Sequence, residues 1–365
     1  MASRATEQVI TNSVISLLTK AIEARASLFD ARHETAFRLF NGFAEGEPDL
    51  VVDLFASTLV FHNYGADPEK AILLLEQAKQ FLQDKLPWVR AGVSKTRNGT
   101  PAWVRLTCPS GRCQGKAHGA RETLEEKRGQ LLFGSTPDTK IKEHGVWYSI
   151  NLTLNRDTSF YLDTRNLRKW LIEHMRDKTV LNSFAYTGSL GVAAQAGGAK
   201  RVVQHDINRR FLNVARTSYT LNGFAIHKED FIAEDFFTLV GNLKGAKETF
   251  DCVIIDPPFF STTSKGKVDQ INDSARLINK VRPLINDGGT LIAINNALYV
   301  SGQEYMQTLE RLCKDGYLKI QELISIPQDF AGYPETRAGL PMTDPAPFNH
   351  STKIAVLSVK RKSAM

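Results

Sequence analysis

The pattern of apolar and polar positions changes character about halfway along the chain. In the first half, short apolar runs are separated by turns rich in glycine, proline and asparagine, which is typical of strands in a small α+β domain. From about Thr179, apolar runs alternate with amphipathic helical stretches. This alternation predicts a mostly parallel, doubly wound α/β sheet with helices on both faces.

The predicted elements divide the chain into three parts. Apolar residues at helical spacing predict one amphipathic helix over residues 5–31, and a second helix is predicted over Ala71–Leu86. In the second half the predicted strands are Thr179–Phe184, Ala199–His205, Phe250–Ile255, Thr290–Ile294, Ile320–Ile326 and Lys353–Val359. We therefore expect an N-terminal helix over residues 1–31, a small α+β domain over 32–150 and an α/β domain over 151–365.

Composition narrows the class of protein. Of the 365 residues, 42% are hydrophobic and 23% are charged, as in ordinary globular proteins. No apolar stretch is long enough to span a membrane, and the N-terminus lacks the apolar segment of a secretory signal. Four cysteines are too few for a disulfide scaffold, so we expect a cytoplasmic protein with reduced thiols and no membrane partner.

Positive charge is concentrated in the second half of the small domain. The whole chain carries a net charge of +7. Between Lys85 and Lys142 there are twelve Lys and Arg residues against four acidic residues, a local net charge of +8. This surplus favours a polyanionic partner such as RNA, with the small domain contributing to its binding.

A cofactor loop is predicted where the first strand of the α/β domain ends. The apolar strand residues Val180 and Leu181 lead into Asn182–Gly188, and a helix rich in small residues follows. In an open α/β sheet the ligand lies beyond the carboxyl ends of the strands, where Gly188 allows the backbone to approach it closely. The residues that we assign to this cofactor loop are Asn182, Phe184, Tyr186, Thr187 and Gly188.

Acidic residues end the next two strands. Asp206, followed by Ile207 and Asn208, is placed to accept hydrogen bonds from both hydroxyls of a bound ribose. Asp235 can accept from an adenine amino group, and Phe236 can stack on the ring, although we expect one of the two neighbouring phenylalanines to pack in the core. A dinucleotide enzyme shares the ribose-binding acid. These residues therefore predict a cofactor that contains a nucleoside, without showing which such cofactor it is.

The segment Asp256-Pro257-Pro258-Phe259 is the sharpest chemical signal in the chain. It follows the apolar strand Val253–Ile255, so the acid, two prolines and an aromatic side chain lie at a carboxyl end of the sheet. The prolines stiffen the loop, and the Asp256 and Pro257 oxygens can accept protons from a planar nitrogen while Phe259 stacks on a flat base. We predict that this segment is catalytic.

Taken together, these segments resemble the bacterial large-subunit rRNA methyltransferases with a class I S-adenosylmethionine fold. The resemblance rests on the cofactor loop, on Gln204–Asn208, on Asp256–Phe260 and on Phe160–Arg165, and it extends to Arg38–Gly42 and Asp49–Asp53 in the small domain. It implies a seven-stranded sheet whose last strand is antiparallel, S-adenosylmethionine as cofactor and RNA as substrate. It also implies that Phe160, Asp163 and Arg165 help to hold the cofactor; the alternative for the last two is a surface salt bridge before a helix.

One departure from this family bears on the atom that is methylated. Members that methylate cytosine C5 carry a cysteine just after the fifth strand, because C5 is activated by nucleophilic attack at C6. Here that position reads Ala293-Ile294-Asn295-Asn296-Ala297, without a thiol. The Asn pair resembles the branch that methylates guanine at a ring nitrogen, so we predict this reaction and assign Asn295 or Asn296 to the base edge.

Several alternatives remain open at this point. Cytosine-C5 methylation, methylation of a protein amide or small planar molecule, a catalytically silent RNA-binding module and a dinucleotide oxidoreductase all use a related fold. Cys108 and Cys113, with His118 nearby, have spacing that is atypical for zinc, so we expect no metal site. A homodimer is compatible with the sequence.

Overall fold

The chain forms two compact units in a computed structural model. The structure describes residues 2–97, 128–341 and 343–361, and the side chains from residue 13 onward within these ranges. The first unit comprises residues up to Glu143, Ile150–Leu162 and Gln328–Leu340, and the second comprises the remaining residues. Residues 328–340, which the sequence pattern placed in the α/β domain, thus belong to the first unit. Cys108, Cys113, His118 and most of the basic stretch lie outside the described residues.

A five-stranded sheet organises the first unit. Its strands, in spatial order, are β1 (Ala36–Asn41), β2 (Leu50–Phe55), β3 (Thr58–Asn63), β4 (Ala91–Thr96) and β5 (Gln130–Phe133). Neighbouring strands are antiparallel except β3 and β4, which are parallel and joined by the helix Pro68–Lys85. The Asp67 side chain caps that helix, and Pro68 suits its first turn. Other elements here are the helices Ala2–Ala24, Gly42–Glu45 and Gln328–Ala331, the 3-10 helix Ala26–Leu28 and the strand β6 (Lys140–Glu143). The predicted helix over residues 5–31 therefore ends earlier than expected, at Ala24.

The second unit alternates strands and helices as the apolar pattern predicted. Its strands are β7 (Val146–Ser149), β8 (Thr179–Ser183), β9 (Arg201–Asp206), β10 (Phe231–Ala233), β11 (Phe250–Ile255), β12 (Phe260–Thr262), β13 (Lys267–Asp269), β14 (Ile285–Asn295), β15 (Leu318–Ile324) and β16 (Lys353–Val359). Its helices are Arg165–His174, Ser189–Ala196, Arg209–Leu221, Phe236–Gly245, Ser274–Val281 and Gly302–Cys313, with 3-10 turns at Lys228–Asp230 and Arg282–Leu284. A further 3-10 turn spans Leu162–Thr164.

Seven of these strands form one sheet in the order β10-β9-β8-β11-β14-β16-β15. Strands β8 to β11 and β14 are parallel where they pair, whereas β16 lies antiparallel to both β14 and β15. The doubly wound sheet with an antiparallel last strand is therefore confirmed. Strand order reverses between β8 and β11, so the carboxyl ends of these two strands flank the switch point of the sheet.

Local sequence chemistry fixes where the helices beyond the sheet begin. Asn208 and Asp235 accept backbone N–H groups at the starts of their helices, and Ser301 with Glu304 forms a capping box. Each of these caps directly follows a strand or its loop, so each helix starts at the carboxyl edge of the sheet. Among the described residues, no helix is long and apolar enough to cross a membrane.

Candidate active site

The loop after β8 has a strained backbone that follows a tight path. Phe184 and Tyr186 have φ angles of 59° and 51°, and Gly188 has a φ of 77°. A side chain at Gly188 would place its Cβ 2.5 Å from the Cβ of Ala215. Left-handed conformations at two aromatic residues cost free energy and are concentrated at ligand-binding sites. The local geometry is thus strained and closely packed, which is compatible with a ligand-binding loop.

The buried side-chain amides of Asn182 and Gln204 hold this loop through hydrogen bonds. The Asn182 Nδ2 donates to Gln204 Oε1 at 2.8 Å, and the Gln204 Nε2 donates to the Gly188 carbonyl at 3.1 Å. Any side chain at Gly191 would collide with the Gln204 amide, within 2.2 Å of its nitrogen. Asn182 is therefore buried and positions the loop through Gln204, a residue that the sequence reasoning used only as part of a motif. The Asn182 Oδ1 is buried without a hydrogen-bond partner in the described part of the chain.

Asp206 is held at the end of β9 by two backbone donors. Its Oδ2 accepts from the Tyr186 N–H at 2.9 Å, and its Oδ1 accepts from the Asn208 N–H at 2.8 Å. Burial raises the pKa of Asp206, and the two N–H groups oppose that rise. Each carboxylate oxygen retains a second lone pair, so the group can still accept from a diol. Ile207, directly after it, is exposed.

Asp235 and Phe236 have structural contacts of their own. The Asp235 Oδ1 accepts from the Phe237 and Thr238 N–H groups, capping the helix. Phe236 is only 4% exposed, and its ring lies 4.7 Å from that of Phe184. Phe236 is thus a core residue with little ring surface for a base.

Asp256 stands in an unusual electrostatic environment. Burial raises the pKa of Asp256 to about 7, and the negative charge of Asp163 adds to the effect. The Asp163 carboxylate accepts a hydrogen bond from the Thr352 hydroxyl at 2.9 Å. Two carboxylates that repel each other at the carboxyl edge of a sheet favour the binding of a cation there.

The Pro257 carbonyl, expected to be free, already accepts a hydrogen bond. The Gln270 Nε2 donates to the Pro257 oxygen at 2.9 Å and to the Ile294 oxygen at 3.1 Å. Gln270 is buried and thereby ties the catalytic segment to the end of β14. The sequence offered no signal for it, because it lies beyond a hairpin that the apolar pattern did not predict.

Asn295 also needs correction. It is fully buried, donating from Nδ2 to the Gln270 carbonyl at 3.1 Å and accepting at Oδ1 from the Ala297 N–H at 3.0 Å. Asn295 therefore stabilises the loops instead of facing a substrate. Its neighbour Asn296 is exposed, with Nδ2 at 3.5 Å from the Pro257 oxygen. Of the two asparagines, Asn296 is the one available to read a base edge.

The aromatic residues of the catalytic segment face solvent. Phe259 is 48% exposed and Phe260 is 53% exposed. Phe260 opens the hairpin β12–β13, and the Lys267 ammonium lies 5.2 Å from the centre of its ring. Exposed rings beside an acid at this edge of the sheet suit a flat substrate.

The two thiols of the second unit, Cys252 and Cys313, lack the features of a nucleophilic cysteine. Cys252 is fully buried within β11, and burial raises its pKa to about 12. Cys313 ends a helix, and burial raises its pKa as well. Neither thiol is activated in the sense that a covalent route requires. Among the described residues, no group of His, Cys, Asp and Glu side chains could hold a metal ion.

The remaining predicted residues are divided between the units. Phe160 is buried in the first unit, in the segment Ile150–Leu162. Arg165 begins the first helix of the second unit, two residues after Asp163. Thr187 is buried in the cofactor loop.

Comparison with known families decides the class of the protein. A family model described as S-adenosylmethionine-dependent methyltransferase matches residues 61–340, well over half of the chain. The chain belongs to this family. S-adenosylmethionine is therefore the cofactor of this methyltransferase, and the enzyme class and cofactor predicted from the sequence are confirmed.

Relatives and solved structures agree with this assignment. A ribosomal RNA large subunit methyltransferase I of Aeromonas salmonicida is 29% identical over 331 residues, which are 87% of this chain and 76% of that protein. One of Vibrio cholerae is 37% identical over 177 residues, which are 47% of this chain and 44% of that protein. The crystal structure of SMU.776, a methyltransferase candidate solved with SAH, superimposes with a TM-score of 0.76 at 20% identity, covering 96% of this chain and 82% of that one. That last likeness shows the shared fold.

The residues of the second unit fit this cofactor. The strained loop with Gly188 allows close backbone approach, and Asp206 offers a fixed carboxylate to ribose hydroxyls. Asp163 and Asp256 supply negative charge for a cationic ligand. When bound, S-adenosylmethionine supplies an electrophilic methyl group.

Proposed function

We propose that this methyltransferase methylates a ring nitrogen of guanine in large-subunit ribosomal RNA. The relatives that carry a ribosomal RNA large subunit name support the RNA class, since one of them aligns over 87% of this chain. The observation that carries the choice of atom is the edge formed by β11 and β14. It presents an acid, an exposed aromatic ring and an exposed amide, whereas Cys252 is buried within β11 before its carboxyl end and Cys313 ends the helix Gly302–Cys313.

A guanine ring nitrogen needs positioning more than activation. Its in-plane lone pair is already nucleophilic, so alignment with the methyl donor supplies most of the acceleration. In this proposal Phe259 stacks on the base, Asp256 orients it and Asn296 contacts its edge. Gln270 holds the Pro257 carbonyl and thus the direction of the loop.

The charge state of Asp256 is part of the mechanism. Methylation of a neutral ring nitrogen leaves positive charge on the base, and an ionised Asp256 stabilises that charge in a site of low polarity. The pKa of Asp256 is raised to about 7 by burial and by Asp163, so the ionised form becomes populated only near neutral pH. We therefore expect kcat/KM, which reports the cofactor-free enzyme, to increase as the pH rises through about 7.

Cytosine C5 is the less favoured acceptor. It requires a thiolate that adds to C6, yet Cys252 is fully buried with a pKa raised to about 12. The loop after β14 carries Asn296, Ala297 and Leu298 where a cysteine would be required.

The test is nucleoside mass spectrometry of rRNA from a deletion strain and its parent. Loss of one methylguanosine, restored by the wild-type gene and not by Asp256→Ala, is expected. Glu310→Ala, an exposed acid on the helix Gly302–Cys313, is the matched control and should restore the modification. Loss of 5-methylcytidine instead would contradict the proposed atom, and unchanged rRNA nucleosides would contradict the RNA substrate.

A further inference from the structure

A second exposed aromatic site lies beside the catalytic segment, on the loop that follows β14. Tyr299 is 70% exposed, and its neighbour Leu298 is 39% exposed. Solvent-exposed apolar side chains grouped at one edge of a protein commonly mark a binding surface.

The sheet brings this loop next to the catalytic one. Strands β11 and β14 are parallel neighbours, with Ile255 paired to Ala293. Paired strands lie about 4.8 Å apart, so the loops that leave their carboxyl ends begin side by side. Gln270 and Asn296 then connect the two loops through hydrogen bonds to the Pro257 carbonyl.

The exposure of Tyr299 does not come from a loosely held loop. The buried Lys353 donates from Nζ to the Ala297 and Val300 carbonyls, each at 3.0 Å, and also to the Ser351 carbonyl. These two carbonyls bracket Leu298 and Tyr299, so both ends of the exposed segment are fixed. Holding a large ring in water on a fixed support is unfavourable for the isolated protein, and it preorganises the ring for a ligand.

The hairpin that directly follows the catalytic segment offers a second exposed ring. Phe260 is 53% exposed at the start of β12, and Lys267 approaches its ring while pairing with Asp269 at 2.8 Å. Lys265, at the hairpin turn, is exposed. Aromatic faces with nearby cations form the sites that bind unpaired nucleotides, by stacking on bases and attracting phosphates.

We propose that Phe260 and Tyr299, on the two loops that adjoin the Asp256 segment, bind the unpaired nucleotides that flank the target base. This inference rests on the proposed RNA substrate and adds a specific site to it. A base that is turned out of its stack leaves its neighbours without stacking partners. Two fixed rings replace those lost contacts and hold the RNA strand open for methyl transfer.

The experiment measures binding of a fluorescein-labelled single-stranded RNA of about 12 nucleotides, within the range of such sites. Tyr299→Ala and Phe260→Ala are each expected to weaken binding by about fivefold or more, while affinity for S-adenosylhomocysteine is unchanged. Tyr299→Phe should restore RNA affinity, because stacking needs the ring and not the hydroxyl. Ile226→Ala is the control, since Ile226 is an exposed apolar residue near the amino end of β10.

Tyr299→Trp gives a readout that a purely structural role would not move. Its fluorescence is expected to be quenched when RNA stacks on the indole, relative to the wild-type signal. Wild-type RNA affinity in both Tyr299→Ala and Phe260→Ala would overturn the proposal while leaving the methylation reaction intact. Weakened binding to a ribosomal particle with unchanged binding to the RNA would assign the surface to a protein and overturn it too. If the wild-type protein neither bound nor methylated RNA, the substrate itself would be wrong.

Discussion

Two buried acids of this methyltransferase, one in each unit, lie in opposite electrostatic surroundings. In the first unit, Arg25 and Glu45 form a fully buried ion pair at 2.9 Å, and Arg38 pairs with Asp53. Burial alone would raise the pKa of Asp53, but Arg38 and His62 hold it well below its usual range. In the second unit, Asp256 is neighboured by another acid, and its pKa is raised to about 7.

The difference separates charges that serve the fold from charges that serve a ligand. A compensated buried pair is costly to break and contributes little chemistry. An uncompensated acid destabilises the protein until a ligand neutralises it, as expected of a functional site. Each of the following changes tests one side of this contrast.

Breaking the buried ion pair of the first unit should have the largest effect on stability. Glu45→Gln leaves the Arg25 guanidinium buried without its counter-charge, so we expect the free energy of unfolding of that unit to fall by about 3–5 kcal/mol. Chemical denaturation followed by circular dichroism measures this. Glu76→Gln, which removes an exposed ion pair with Lys79 on a helix, should cost about 0.5 kcal/mol or less. Equal losses of stability in the two variants would contradict a larger contribution from the buried ion pair.

Neutralising Asp256 should raise the free energy of unfolding, whereas breaking the buried ion pair lowers it. Because its folded pKa lies above the unfolded value of 3.8, the ionised group lowers stability as the pH rises from about 4 to 7. We expect Asp256→Asn to raise the free energy of unfolding by about 1–3 kcal/mol at pH 8, allowing for its partial exposure, with no gain at pH 4. Methyl transfer should fall by about 10²–10³-fold. Denaturation curves at the two pH values measure the first effect, and a pH-independent difference would rule out an uncompensated acid.

Removing the Gln270 side chain, which links the catalytic segment to the end of β14, should lower stability less than Glu45→Gln does. Gln270→Ala removes the Nε2 donor that the Pro257 and Ile294 carbonyls share, so we expect a loss of about 1–3 kcal/mol in stability and reduced methyl transfer. S-adenosylhomocysteine affinity should be changed less than turnover, which calorimetry and single-turnover assays distinguish. Gln321→Ala, whose exposed amide bonds Ser358, serves as the control and should change neither quantity. Unchanged turnover in Gln270→Ala would show that the segment Asp256–Phe259 keeps its conformation without the Gln270 hydrogen bond.

The smallest effect is expected at Ile207. This exposed side chain follows Asp206, and we expect Ile207→Ala to weaken S-adenosylhomocysteine binding by about 0.5–1 kcal/mol, or two- to fivefold. Isothermal titration calorimetry measures it, with Ile226→Ala as the exposed control. A matching decrease in both variants would indicate a general effect on the unit, not a cofactor contact.

Periodicity and strand-end chemistry predict the architecture and the cofactor but not the hydrogen bonds between loops. Asp206 and Asp256 follow apolar strands, and that position alone implies the edge at which they meet. The role of Gln270 depends on the hairpin β12–β13, whose strands of three residues are too short to leave a pattern. The burial of Asn295 does not follow from the sequence pattern either, because the burial of a residue at a strand end depends on what the following loop packs against.

The position of β16 has a consequence for how the second unit is made. Residues 353–359 lie between β14 and β15 in the sheet, although both of those strands precede them in the chain. During synthesis β15 therefore cannot join the sheet until residues 353–359 have been made. Until then β14 has an unpaired edge. Assembly of the catalytic edge is thus a late, long-range event in the folding of the second unit.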